Sequence, residues 1–96
     1  MIVGINITEE DIANGMPGYQ TCAMSVAVRR YLPSLDGIGG QYFWFRRPEG
    51  QNAELHFWRA DLTPRQQDFT AQFDRGGEVF PFFFELDVPE WLEVAE

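Results

Sequence analysis

Apolar and polar residues change period several times along this chain, and each change marks an element. β-branched residues at positions 2, 3, 5 and 7 make the opening "IVGINI" a predicted strand. In "TEEDIANG" Thr8 is placed as an N-cap, and Glu9, Glu10 and Asp11 fill a first turn where the helix dipole favours negative charge. Gly15 and the Met16-Pro17-Gly18 break limit this helix to one or two turns. Capping accounts for the three acids without invoking a metal. "YQTCAMSVAVRRYLP" predicts the main helix, roughly residues 19–32. Ala23, Met24, Ala27, Val28 and Tyr31 fall on its buried side, with Ser25 and Arg29 opposite. Its two alanines allow close approach to a sheet, and Pro33 ends it. "SLDGIGG" reads as a flexible connection of glycines and turn formers.

"QYFWFRR" and "AELHFWRA" flank the turn-forming "PEGQN", which predicts a β-hairpin. Phe43 and Phe45 are its core side; Tyr42 and Trp44 cover the other. "DLTPRQQDFTAQFDRGG" is the clearest helix: Thr63 as N-cap, Pro64 at the first helical position, Gly76 or Gly77 just past the end. A narrow stripe of Leu62, Phe69 and Phe73 places it on the surface. "EVFPFFFELDV" returns as a strand with Phe80, Phe82, Phe84, Leu86 and Val88 on the core face. Pro81, Phe83, Glu85 and Asp87 fall on the other face, and the proline points to an edge strand or a bulge. The order predicts one α+β domain over residues 1–96. Its sheet is mostly antiparallel with about four strands, and two to three helices pack on one face.

At 96 residues and 45% hydrophobic, the chain can bury a core but has no room for a second one. The single cysteine, Cys22, is read as excluding an internal disulfide, a four-ligand zinc site and a CxxC redox pair, which suits a reducing cytoplasm. "MIVGINIT" has neither the basic start nor the apolar run of a signal peptide or membrane span. The net charge of −8 is unevenly placed. Residues 78–96 hold six acids (Glu78, Glu85, Asp87, Glu90, Glu93 and Glu96) and no base, whereas the rest of the chain is nearly balanced by its seven arginines. Such a patch repels nucleic acid and anionic lipid and attracts basic partners.

Catalytic chemistry finds little support. His56 is the only histidine, on a strand with Glu54 and Trp58 on its own side, and one acid beside one histidine is weak evidence for a general base. Cys22 has no motif around it and is expected to be structural. Glu85 and Asp87 alternate as a carboxylate pair could, but a glycosidase needs a cleft that a domain this small hardly supplies. "GIGG" is too short for a phosphate loop. The hairpin is more suggestive. Tyr42, Trp44, Arg46, Arg47, Trp58 and Arg59 combine aromatics with arginine, as interface hot spots do and as sheets that stack RNA bases do.

Three segments, "ITEEDIANG", "CAMSVAVRRYLP" and "FTAQFDRGGEVFPFFFELDVP", together resemble a group of small uncharacterised proteins of bacteriophages and prophages. The shared pattern is Thr-x-x-Asp-Ile-x-x-Gly, then a Cys before an Ala-rich helix, then Phe-Asp-x-Gly-x-x-Val-x-Pro-Phe-x-Phe-Glu. It covers both ends and skips the hairpin, and Ala23 stands where that group usually has Pro after the Cys. The resemblance implies a phage or mobile-element origin and brings no activity with it.

The expected function is therefore that of a small acidic phage-type protein. It would bind and modulate or inhibit a host or defence protein, as an anti-CRISPR does, without catalysis. The expected partner carries a basic surface; no direct nucleic acid, membrane, cofactor or metal is expected, and the setting is a bacterial host's cytoplasm. The candidate partner-binding residues are Tyr42, Trp44, Arg46, Arg47, Trp58, Glu85, Asp87, Glu90 and Glu93. The alternative is a nucleic-acid-binding module using the aromatic and arginine residues of the hairpin.

Overall fold

A computed structural model describes residues 1–48 and 56–95. The "PEGQN" turn, the start of the following strand and the Glu54 neighbour of His56 lie outside these, wholly or in part. The described elements are β1 (Ile2–Ile7), α1 (Glu9–Asn14), α2 (Ala23–Tyr31), β2 (Leu35–Gly39), β3 (Tyr42–Arg46), β4 (Phe57–Asp61), α3 (Pro64–Asp74) and β5 (Phe82–Asp87). The class is α+β and every strand pairing is antiparallel. The strands form two sheets, β1-β5 and β2-β3-β4, instead of one sheet of about four. Among the described residues no helix is long and apolar enough to cross a membrane.

The extra strand is β2, inside the stretch expected to be a flexible connection. Its alternation is hidden because the register shifts between Leu35 and Gly37, so Asp36 is an extra, bulged residue. Its glycines also depress strand propensity. Gly40 and Gln41, both at positive φ, then close a two-residue hairpin loop into β3.

Both predicted N-caps form complete capping boxes. Thr8 and Thr63 accept from the backbone of Asp11 and Gln66, whose side chains reach back to the caps. The main helix starts later than expected, because Cys22 is its N-cap and accepts from the Ser25 amide. Residues 19–21 belong to the preceding turn, where Met16 donates its amide to the Thr21 carbonyl and the Thr21 hydroxyl donates to the Met16 carbonyl.

Two faces are corrected. Ser25 is fully buried rather than outward, its hydroxyl donating to the Tyr19 carbonyl at 2.9 Å. Arg29 is half-buried and donates to the carbonyls of Leu35 and Asp36, tying α2 to the β2 bulge. Phe80 is exposed instead of core, because β5 begins only after Pro81.

The core is one cluster linking both sheets and the helices. Phe43 of β3 meets Phe84 of β5 at a ring separation of 6.0 Å, and Phe69 of α3 stacks on Phe82 at 5.9 Å. The C-terminal segment folds back on this body: Leu92 is buried and the Ala95 amide donates to the Tyr31 carbonyl.

Candidate functional site

Pairing in β2-β3-β4 assigns every side chain to a face. Across the sheet, Leu35–Phe45–Trp58 and Ile38–Phe43–Ala60 lie on the inner face, where Phe43 and Phe45 are fully buried. Gly37–Trp44–Arg59 and Gly39–Tyr42–Asp61 lie on the outer face, with Arg46 opposite Phe57. The expected candidates Tyr42, Trp44 and Arg46 therefore share one open surface. Trp58 does not join them: it turns inward against Phe45 and Trp91.

On the outer face Trp44 is the hub. Its indole Nε1 donates to the Gly39 carbonyl at 3.0 Å, and its ring meets Tyr42 and Phe57 edge-on. The Arg59 guanidinium lies 4.3 Å over the Tyr42 ring and 5.9 Å from that of Trp44, a cation–π arrangement that holds both rings in place. Two aromatic members, Tyr19 and Phe57, escaped the sequence reading. Tyr19 precedes α2, and its ring lies flat on Gly37 and Gly39, where a side chain on either glycine would collide with it. The Gly-x-Gly spacing on a strand was the signal that a ring covers that backbone. Burial and the neighbouring Asp36 carboxylate hold the Tyr19 phenol above its ordinary pKa. Asp36 also pairs with Arg46 at 3.2 Å. Tyr19, Trp44 and Phe57 thereby line an open apolar depression of about 480 Å³ with Gly39 and Gly40 as its floor.

The other candidates form separate groups. Arg47 and Glu93 line a depression of about 240 Å³ with Ser34, Pro48, Trp91 and Leu92, and Arg46 borders both it and the outer face. Arg47 stacks 5.4 Å over the Trp91 ring and donates to the Phe57 carbonyl. Glu85 and Asp87 project from the outer face of β5 beside Phe83, and all three are exposed. Asp87 accepts from the Met1 ammonium at 3.1 Å. Glu90 and Glu93 follow, both exposed.

His56 is exposed at the entry to β4. Among the described residues no three His, Cys, Asp or Glu side chains gather as a metal site requires. Cys22 is buried beneath Ser25, its thiol donating to the Ser25 hydroxyl at 3.3 Å. What these surfaces offer chemically is stacking, apolar contact and charge. No family model matches the chain, and neither a curated protein nor a solved structure matches it.

Proposed function

We propose that this protein is a non-catalytic binding protein that docks on, and modulates or inhibits, a protein with a basic surface. Its partner class is a host or defence protein of the bacterial cytoplasm, met as a phage inhibitor of the anti-CRISPR kind meets its target. The observation that carries this reading is the joint exposure of Glu85, Asp87, Glu90 and Glu93 along β5 and the segment after it. Among the described residues only Asp87 of these four has an ion-pair partner. Carboxylates so placed present to a target's Arg and Lys the charge that its nucleic acid would present, which raises the association rate and excludes acidic competitors. Tyr42, Trp44 and Phe57 add the rigid aromatic area that interface anchors supply.

The test is affinity capture from host lysate with the wild type and with Glu85→Arg/Asp87→Arg, both first shown to melt alike. Loss of a basic protein from the captured set on charge reversal supports the reading; an unchanged set overturns it. A nucleic-acid-binding module is the second reading, favoured by one observation: Arg59 lies over Tyr42 beside the exposed Phe57, a platform on which bases stack. Quenching of Trp fluorescence by single-stranded DNA or RNA at low salt, abolished by Trp44→Ala, would establish it in place of the first.

A further inference from the structure

β5 is an outer strand paired only with β1, which leaves its far edge open. In an antiparallel ladder, opposed residues alternate between pairs that exchange hydrogen bonds and pairs whose backbone groups point away. The Val88 amide donates to the Met1 carbonyl at 2.8 Å, so Met1–Val88 is a bonded pair. Alternation from there makes Val3–Leu86, Ile5–Phe84 and Ile7–Phe82 bonded, and turns the backbone groups of Ile2–Asp87, Gly4–Glu85 and Asn6–Phe83 outward. On the β1 side Arg30 donates to the Asn6 carbonyl at 3.1 Å, while the outward backbone of Ile2 and Gly4 takes no bond among the described residues. On the β5 side, among the described residues, no group bonds the backbone of Phe83, Glu85 or Asp87. β1 is the only strand among the described residues that pairs with β5, while Phe69 and Arg65 of α3 cover the Phe82 ring at its start. Six residues of strand thus expose donors and acceptors at three alternate positions.

We propose that β5 is an acceptor edge that binds an extended segment of the partner protein by strand addition, with basic residues at alternate positions of that segment. The proposal rests on the basic-partner reading above and specifies how the contact is made. Charge selects the occupant. Side chains of an added strand that share the outer face would stand beside Phe83, Glu85 and Asp87, so Lys or Arg there meets two carboxylates while an apolar residue meets the Phe83 ring. The intervening side chains would cover the rims of Phe84 and Leu86, which stay 9% and 6% exposed. A second copy is disfavoured. Antiparallel self-pairing over the whole strand places Glu85 opposite Glu85 and Phe83 opposite Asp87, and like charges directly opposed destabilise a ladder. Register slipped towards the N-terminus meets Pro81, which has no amide to donate. Backbone pairing supplies the affinity in such contacts and the alternate side chains supply the selectivity.

The probe is an end-blocked octapeptide alternating Lys and Val, titrated into the ¹⁵N-labelled full chain. Its partner in the comparison is the same peptide N-methylated at alternate residues, which keeps every charge and removes the donors. The expected result is slowed hydrogen exchange at the Phe83, Glu85 and Asp87 amides, with those of Phe82, Phe84 and Leu86 unaltered. N-methylation is expected to weaken binding by about tenfold or more, since each lost hydrogen bond has a modest net value and several are lost together. Glu85→Arg/Asp87→Arg should lose the Lys peptide and accept a Glu–Val counterpart. Equal binding of the methylated peptide would overturn strand addition while leaving an acidic docking face intact. Absence of binding by either peptide, or dimerisation of the free chain through these same amides, would also overturn it.

Discussion

Gly37→Ala is the most incisive single change, because it acts at the point where Tyr19 is pressed onto β2. Gly37 is not at positive φ, so alanine is allowed there, and by reducing unfolded-chain entropy it would ordinarily stabilise by about 0.4–1 kcal/mol. The surroundings reverse that sign. A Cβ at Gly37 would run into Cδ2 and Cε2 of the Tyr19 ring and lie 2.7 Å from the Tyr19 carbonyl oxygen. The ring is 41% exposed and can swing outward, but the carbonyl cannot. It accepts the Ile38 amide and the hydroxyl of the fully buried Ser25, both at 2.9 Å. Overpacking of this kind costs about 1–3 kcal/mol, and leaving Ser25 without a partner adds about 1–3 kcal/mol if the carbonyl gives way. With the carbonyl held in place the net loss is roughly 1–2 kcal/mol after the entropic gain, and larger if the carbonyl gives way. For a domain of this size that lowers Tm by on the order of 5–20 °C.

Thermal melts followed by circular dichroism would measure it, with Gly39→Ala as the control. There the nearest atom to a new Cβ is Cδ1 of the same ring at 2.8 Å and no carbonyl is met, so the ring alone moves and the loss should be smaller. Adding Tyr19→Ala to Gly37→Ala should recover only the part of the loss due to the ring. A Gly37→Ala protein that melts at or above the wild type would refute the account of Tyr19 as a clamp on glycine backbone.

Three other outcomes follow from the packing. Asp11 is 4% exposed, and the Arg30 hydrogen bonds at 2.7 and 2.8 Å hold its carboxyl below the usual pKa against the opposing effect of burial. Asp11→Asn should therefore cost about 1–2 kcal/mol at neutral pH, the low end for a charged hydrogen bond because Arg30 is half in water. The depressed folded pKa makes that contribution complete above the ordinary carboxylate range and lost below it, so melts of the two proteins should converge from roughly pH 4 downward. Phe84→Ala should cost about 3–5 kcal/mol in denaturant unfolding, since it empties the contact between the sheets, whereas Phe80→Ala should cost under about 1 kcal/mol because Phe80 stands in water. Cys22→Ser should stay within about 1 kcal/mol of wild type, because serine is the better N-cap, while Cys22→Ala should lose about 1 kcal/mol with the cap; equal melting of both variants would deny the sulfur its capping role.

The elements legible in the chain itself were those governed by neighbours a few residues apart. Thr8 and Thr63 could be placed as caps, and Phe82, Phe84, Leu86 and Val88 as a core face, because capping reaches three residues and strand pleating has a period of two. The inward turn of Phe43 and Phe45, with Tyr42 and Trp44 outward, followed from the same alternation. Local rules also located the acids of β5 on its outer face. They failed where a distant group sets the conformation. Leu35–Gly39 reads as a loop until the Asp36 bulge, held by Arg29, and the ring of Tyr19 on Gly37 and Gly39 are both seen. Ser25 looks like a surface residue until the Tyr19 carbonyl arrives beside it. Trp44 and Trp58 have equal standing as anchors in the sequence, and only cross-strand register sends Trp58 to Trp91 and leaves Trp44 among Tyr19, Tyr42, Phe57 and Arg59. The split into two sheets, and with it the unpaired edge of β5, belongs to tertiary structure for the same reason: local alternation sets which face a side chain takes, while the pairing of distant strands decides which backbone edges are left without a partner.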